Sequence, residues 1–158
     1  MKKTKGFTII EVVLVLAIAG LIFLVVFLAL PQLQRSQRDS TRKSQVGRLV
    51  AGLQQYASNN NGSLPAESTN NSSRSNFGAY GSGTNAFFPS YMNSDGDFVD
   101  PKTGDYTVVF PATAPDSYTP NDGELAYWLG ITCDGTSASR AAAVMIALEQ
   151  GTYCEDIG

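Results

Sequence analysis

From Phe7 to Leu30 the chain runs 24 residues with one charged side chain, Glu11. A helix rises about 1.5 Å per residue, so this run reaches about 36 Å, enough to cross a hydrocarbon core of about 30 Å with some tilt. The sequence therefore predicts insertion into a membrane through its N-terminus, behind the short basic leader Lys2-Lys3-Thr4-Lys5-Gly6.

Glu11 is the residue that this environment makes expensive. An acid at membrane depth costs about 2.5–3.5 kcal/mol on insertion scales, so a counter-charge is expected. Cleavage after Gly6 would supply one: the new amine of Phe7 stands four residues before Glu11, about 6 Å along a helix axis. A neighbouring copy, staggered along the axis, could present its amine level with this carboxylate. The plain alternative is a carboxylate that snorkels to the interface or stays protonated.

The pattern Lys5-Gly6-Phe7-Thr8-Ile9-Ile10-Glu11, followed by the apolar stretch from Val12, resembles the N-terminus of type IV pilins and of the related type II secretion pseudopilins. The resemblance implies that a prepilin peptidase cuts after Gly6, that Phe7 becomes the methylated N-terminus, and that Glu11 is the assembly glutamate. It covers about 30 residues, and beyond them the likeness is architectural. It also implies partners: other copies and related pilins in a helical filament, the peptidase, an assembly platform driven by a cytoplasmic ATPase, and the lipid bilayer before assembly.

A conventional secretory signal fits poorly, because Phe27-Leu28-Ala29-Leu30-Pro31 lacks the small-x-small cleavage site. Positive-inside counting does not settle orientation, since Lys2, Lys3 and Lys5 precede the span while Arg35, Arg38, Arg42, Lys43 and Arg48 follow it. A cytoplasmic N-terminus, an exported C-terminal part and a final location in a surface filament of a bacterium follow from the resemblance.

Length leaves 128 residues, Pro31 to Gly158, for one modest exported domain. Charge is uneven along it. Residues 32–60 carry five basic and one acidic side chain, whereas 61–158 carry three basic and twelve acidic ones. The basic stem of one copy could face the acidic head of another, with a solvated stem as the simpler reading. DNA binding is not indicated, because the basic stretch lacks interleaved aromatics.

Val46, Leu49, Val50, Leu53, Tyr56 and Ala57 recur at helical spacing, so the helix is expected to continue to about Ser58 as an amphipathic stem. Pro31 removes a backbone donor and predicts a kink or loosening near Phe27–Pro31. Gly20 is a second soft point, or a site of close helix packing. In pilins resembling this chain such a segment extends on assembly. Asn59-Asn60-Asn61-Gly62 and Pro65 end the helix, and 59–86 reads as a Ser/Asn/Gly-rich loop. Asn61, Asn70 and Asn71 head Asn-x-Ser/Thr triplets, which arise by chance in such composition.

Past Ala86, Tyr106–Phe110, Leu125–Cys133 and Ala141–Glu149 are the strand candidates, giving three or four antiparallel strands on the stem. The last also has helix-forming composition, with Ser139 and Gly151 as cap candidates; strand is preferred on the resemblance to pilin C-terminal regions. Cys133 and Cys154, in an exported domain, most simply form one disulfide, with two free buried cysteines as the alternative. In a plain meander their positions do not align, so the tail is expected to cross the sheet edge rather than pair in simple register.

The expected fold is α+β: a long N-terminal helix packed against a small antiparallel sheet, the pilin fold. Its segments are leader 1–6, membrane and assembly helix 7–30, stem 31–58, loop 59–86 and head 87–158. Asp95, Asp97 and Asp100, with Asn93 and Asp105 nearby, form a weak calcium candidate without EF-hand spacing; a solvated turn is the better reading, and no cofactor is expected. Without histidine, a Gly-x-Ser-x-Gly elbow or a phosphate loop, the chain offers no recognised catalytic constellation. A filament subunit is the leading function, a pseudopilin the alternative, and a membrane-anchored ligand-binding domain the weakest.

Overall fold

The computed structural model describes residues 6–65, 87, 91–92 and 98–158. The chain divides into two compact units, Met1–Gln37 and Arg38–Gly158. One helix, α1 (Ile9–Asn59), contributes to both. The remaining elements are β1 (Val99–Asp100), β2 (Gly104–Asp105), β3 (Thr107–Val109), β4 (Glu124–Ile131), β5 (Ser137–Ala147) and β6 (Thr152–Ile157). The chain is α+β.

In the first unit α1 is built from a run rich in Val, Ile and Leu. The β-branched members cost a few tenths of a kcal/mol each as helix formers. Without water to satisfy the backbone, however, a helix is the only single segment that pairs all its own amides. Pro31 lies inside α1 and does not end it. The helix continues through Pro31, because one missing donor is a local loss that the flanking turns outlast.

In the second unit α1 buries Arg42, Gln45, Val46, Leu49, Val50, Gly52 and Leu53, a stripe at three- and four-residue spacing. The stripe meets Phe87, Phe98, Val108, Leu125, Tyr127, Val144 and Ile146 in the main core. Each fully buried leucine or phenylalanine contributes about 1.5–3 kcal/mol of transfer free energy. Gly52 permits the close approach here, since a Cβ at that position would stand 3.3 Å from both Met92 Sδ and Phe87 Cζ.

The larger sheet has the order β3-β4-β5-β6, and β1 pairs with β2 in a separate two-stranded sheet. Period-two alternation divides its side chains between two cores. Leu125, Tyr127, Ala142, Val144 and Ile146 join the helix stripe, while Ala126, Trp128, Ala143 and Met145 form a smaller cluster with Tyr118, Cys133 and Cys154. The segment 110–123 covers this second cluster: Trp128 Nε1 donates to the Thr113 carbonyl at 2.8 Å, and the Tyr118 ring meets the Trp128 ring edge-on at 5.4 Å.

Two expectations about the sheet need correction. It is mixed rather than antiparallel, because β3 runs parallel to β4 with Val108 opposite Leu125. A parallel pair needs a crossover of a dozen or more residues, and 110–123 supplies it. The C-terminal tail, moreover, pairs in simple register as β6, with Cys154 opposite Met145 and Asp156 opposite Ala143. The β4–β5 hairpin absorbs the misalignment instead: Leu129 pairs with Ala142 but Ile131 with Ser137, so residues 138–141 oppose Gly130 alone. Gly130 takes φ 72° at this irregularity, and such bulges bend the strand that carries them.

α1 ends in a Schellman arrangement. Asn61 occupies the left-handed region at φ 55°, and the Gly62 amide donates to the Ala57 carbonyl at 2.7 Å. Asparagine tolerates this conformation better than other residues with a Cβ, which fits its place here.

Candidate assembly segment and head contacts

Gly6 and Phe7 precede the first helical residue, Ile9, so the Gly6–Phe7 peptide bond lies outside α1. Both residues are exposed, Phe7 at 89%. Thr8 stands at the N-cap. Its amide and its hydroxyl each donate to Glu11 Oε2 at 2.8 Å. This is the carboxylate half of a capping box, in which the third helical residue reaches back to an amide that the helix leaves unpaired. The Thr8-x-x-Glu11 spacing was present in the sequence and signals this contact, but reading Glu11 only as a charge in lipid missed Thr8 as its partner.

Beyond the cap, the apolar side chains of this unit lie open. Leu14 is 60% exposed, Leu21 65% and Phe27 75%. Phe7, Glu11, Val12, Val15 and Leu16 line a shallow strip along one side of the helix. The helix is long and apolar enough to cross a membrane. Gly20 has open space where a Cβ would stand.

In the second unit, Arg42 is fully buried and its Nε donates to Asp100 Oδ2 at 2.5 Å, with Nη2 to Oδ1 at 3.2 Å. The same carboxylate accepts the amides of Lys102 and Thr103. Burial alone would push the Asp100 carboxyl upward, but the Arg42 guanidinium and these two amides outweigh it and hold it below the ordinary range. Beside this pair Gln45 donates to the Val99 carbonyl and accepts from the buried Tyr106 hydroxyl. Burial, reinforced by the Asp100 charge, pushes that phenol upward. Asp100 thus anchors β1 on α1, its carboxylate engaged by the Arg42 guanidinium and two backbone amides. Asp95, Asp97 and Asn93 lie outside the described residues, as do Asn70 and Asn71.

The basic stem is partly used within its own unit. Arg38 Nε donates to Glu149 Oε1 at 2.8 Å, which holds that carboxyl low, and the Glu149 amide donates to Asp39 Oδ1. Lys43 Nζ lies 5.5 Å from the centre of the Tyr153 ring. Arg42 and Asp100 were read separately in the sequence, as stem base and loop acid. No local signal joins residues 58 positions apart.

Cys133 and Cys154 are joined by a disulfide with their Cα atoms 5.9 Å apart. Asp156 Oδ2 accepts the Cys133 amide, a second tie between the hairpin tip and β6.

Residues 1–27 match the family model described as the prokaryotic N-terminal methylation motif. The chain opens with the class III signal of type IV pilins and pseudopilins. No curated protein and no solved structure matches the chain. The motif supports a membrane-anchored precursor of pilin or pseudopilin type, a structural class rather than an enzyme family.

Proposed function

We propose that this chain is a structural subunit of a type IV pilus or a related filament. The precursor enters the bacterial cytoplasmic membrane through residues 7–30, prepilin peptidase cuts after Gly6, and Phe7 becomes the methylated N-terminus. An ATPase-driven platform then moves the mature subunit into a helical filament at the cell surface. The observation that carries this reading is the methylation motif over residues 1–27, whose helical part, from Ile9 onward, exposes its large apolar side chains. In the filament, neighbouring helices replace lipid around this segment, so packing together with the Phe7 amine–Glu11 pair must offset extraction. Gly20 and Pro31 mark the stretch expected to yield on assembly.

Mass spectrometry of sheared surface filaments tests the reading: the subunit should begin at a methylated Phe7. Filaments whose subunits retain residues 1–6 would refute it. Glu11→Ala should leave expression and cleavage intact while abolishing filaments, and normal filaments from that variant would remove Glu11 from the assembly role. The same motif opens pseudopilins; a mature subunit found only in short periplasmic assemblies, with secretion lost on its deletion, would select that pathway.

A further inference from the structure

The cap that closes α1 holds a chemically reactive dipeptide. Of three consecutive asparagines, Asn59 donates through Nδ2 to the Tyr91 hydroxyl at 3.1 Å and Asn60 through Nδ2 to the Tyr56 carbonyl at 2.8 Å. Asn61 is exposed, and its carboxamide has no partner among the described residues. It is also the one followed by glycine, whose missing side chain leaves the next backbone nitrogen unhindered. We propose that Asn61-Gly62 is a latent deamidation site whose reaction is gated by the C-terminal cap of α1.

The chemistry needs only water. The Gly62 amide loses its proton to solvent base, and the nitrogen attacks Asn61 Cγ. The N–Cγ bond forms, the Cγ–Nδ2 bond breaks, and ammonia leaves with a proton from solvent. Water then opens the five-membered imide at either carbonyl, giving aspartate or isoaspartate; nothing is oxidised or reduced. In the folded chain the attacking nitrogen is occupied, because its N–H donates to the Ala57 carbonyl at 2.7 Å. Asn61 is moreover fixed at φ 55° and Gly62 at φ 80°, which removes the freedom that ring closure requires. Reaction therefore draws on the fraction of time the cap is open, and the product records that fraction irreversibly. The new carboxylate arises one residue from a cation, since the Arg140 guanidinium carbon lies 3.5 Å from where a Gly62 Cβ would stand. Aspartate at 61 can keep the cap, whereas isoaspartate inserts an extra backbone carbon and cannot.

The test uses the full chain in detergent micelles, incubated in mildly alkaline buffer with and without denaturant. Peptide mass spectrometry then follows the Leu49–Arg74 tryptic fragment, with fragmentation locating the converted asparagine. Conversion at Asn61 should be at least about tenfold slower in the folded protein than in the unfolded chain, by the free energy of a local opening. Equal rates, or an unfolded chain in which Asn61 does not convert, would overturn the proposal. Leu64→Ala provides a second measurement, since Leu64 packs on the core just past the cap. Gly62 amide exchange and Asn61 conversion should change by the same factor in this variant, and a change in one without the other would overturn the gating.

Discussion

The two parts of α1 treat apolar side chains in opposite ways. In the first unit Leu14, Leu21 and Phe27 are each more than half exposed; in the second, Leu49 and Leu53 are fully buried. Both stretches are helix, so helix formation alone does not distinguish them. The difference lies in periodicity. The first is apolar on every side and has no polar face to offer water, whereas the second confines its apolar residues to one stripe opposite polar ones. The first is therefore an apolar surface left open on every side, and the second is half of a finished core. Substitutions in the second should register as stability of the head, and substitutions in the first should not.

The largest effect on stability is expected at Arg42. Arg42→Ala removes the guanidinium from a fully buried pair and strands Asp100, which accepts it at 2.5 Å. Breaking a buried ion pair from one side costs about 3–5 kcal/mol, to be read as a lower denaturant midpoint for unfolding of the head. An unchanged midpoint would mean that the pair does not hold β1 on α1.

A matched pair of leucines tests the contrast itself. Leu53→Ala should destabilise the head by about 2–5 kcal/mol through lost burial and the cavity left behind. Leu21→Ala, at a side chain 65% exposed, should leave head unfolding unchanged. Equal losses from the two would erase the distinction between the halves of α1.

A smaller, pH-dependent effect follows from Asp100. Its carboxyl is held below the ordinary range in the folded head. The resulting stabilisation is present in full above the unfolded carboxylate range and is lost as the pH falls from there to the lower native value. Denaturant midpoints measured down this window should fall more steeply for the parent than for Asp100→Asn, which has no charge to titrate at that site. Parallel curves would show that Asp100 is not held low.

Much of this contrast was legible in the sequence because it is local. The apolar run with its single acid, and the spacing of Val46, Leu49, Val50 and Leu53, each report their surroundings through periodicity alone. β5 is a strand against its helix-forming composition, as the resemblance to pilin C-terminal regions implied and local propensity did not. What escaped was decided by distant partners. β3 pairs parallel to β4 because of how 110–123 crosses the second cluster, and the alignment of Cys133 with Cys154 depends on the bulge opposite Gly130 rather than on a tail that crosses the sheet edge. The Arg42–Asp100 pair joins a helix to a stretch whose composition reads as a solvated turn, with calcium as a weak candidate. Thr8 is a different case, since its three-residue spacing to Glu11 is a local signal carried wholly by the sequence.

The smallest expected effect lies where the packed half of α1 ends. Asn61 holds the left-handed position of the cap, at φ 55°. Asn61→Gly meets no steric cost there but loosens the unfolded chain, so the two terms nearly cancel and head stability should shift by less than about 0.5 kcal/mol. Asn61→Val adds a β-branched side chain to a conformation that disfavours it and should cost about 1–2 kcal/mol. The two variants differ only at an exposed position, so lost burial cannot explain the gap between them. A gap of that size in the denaturant midpoints would place the constraint in the backbone of the cap; equal midpoints would show that the cap relaxes to accept any residue, and with it the hydrogen bond from Gly62 to Ala57 would contribute little to where the helix stops.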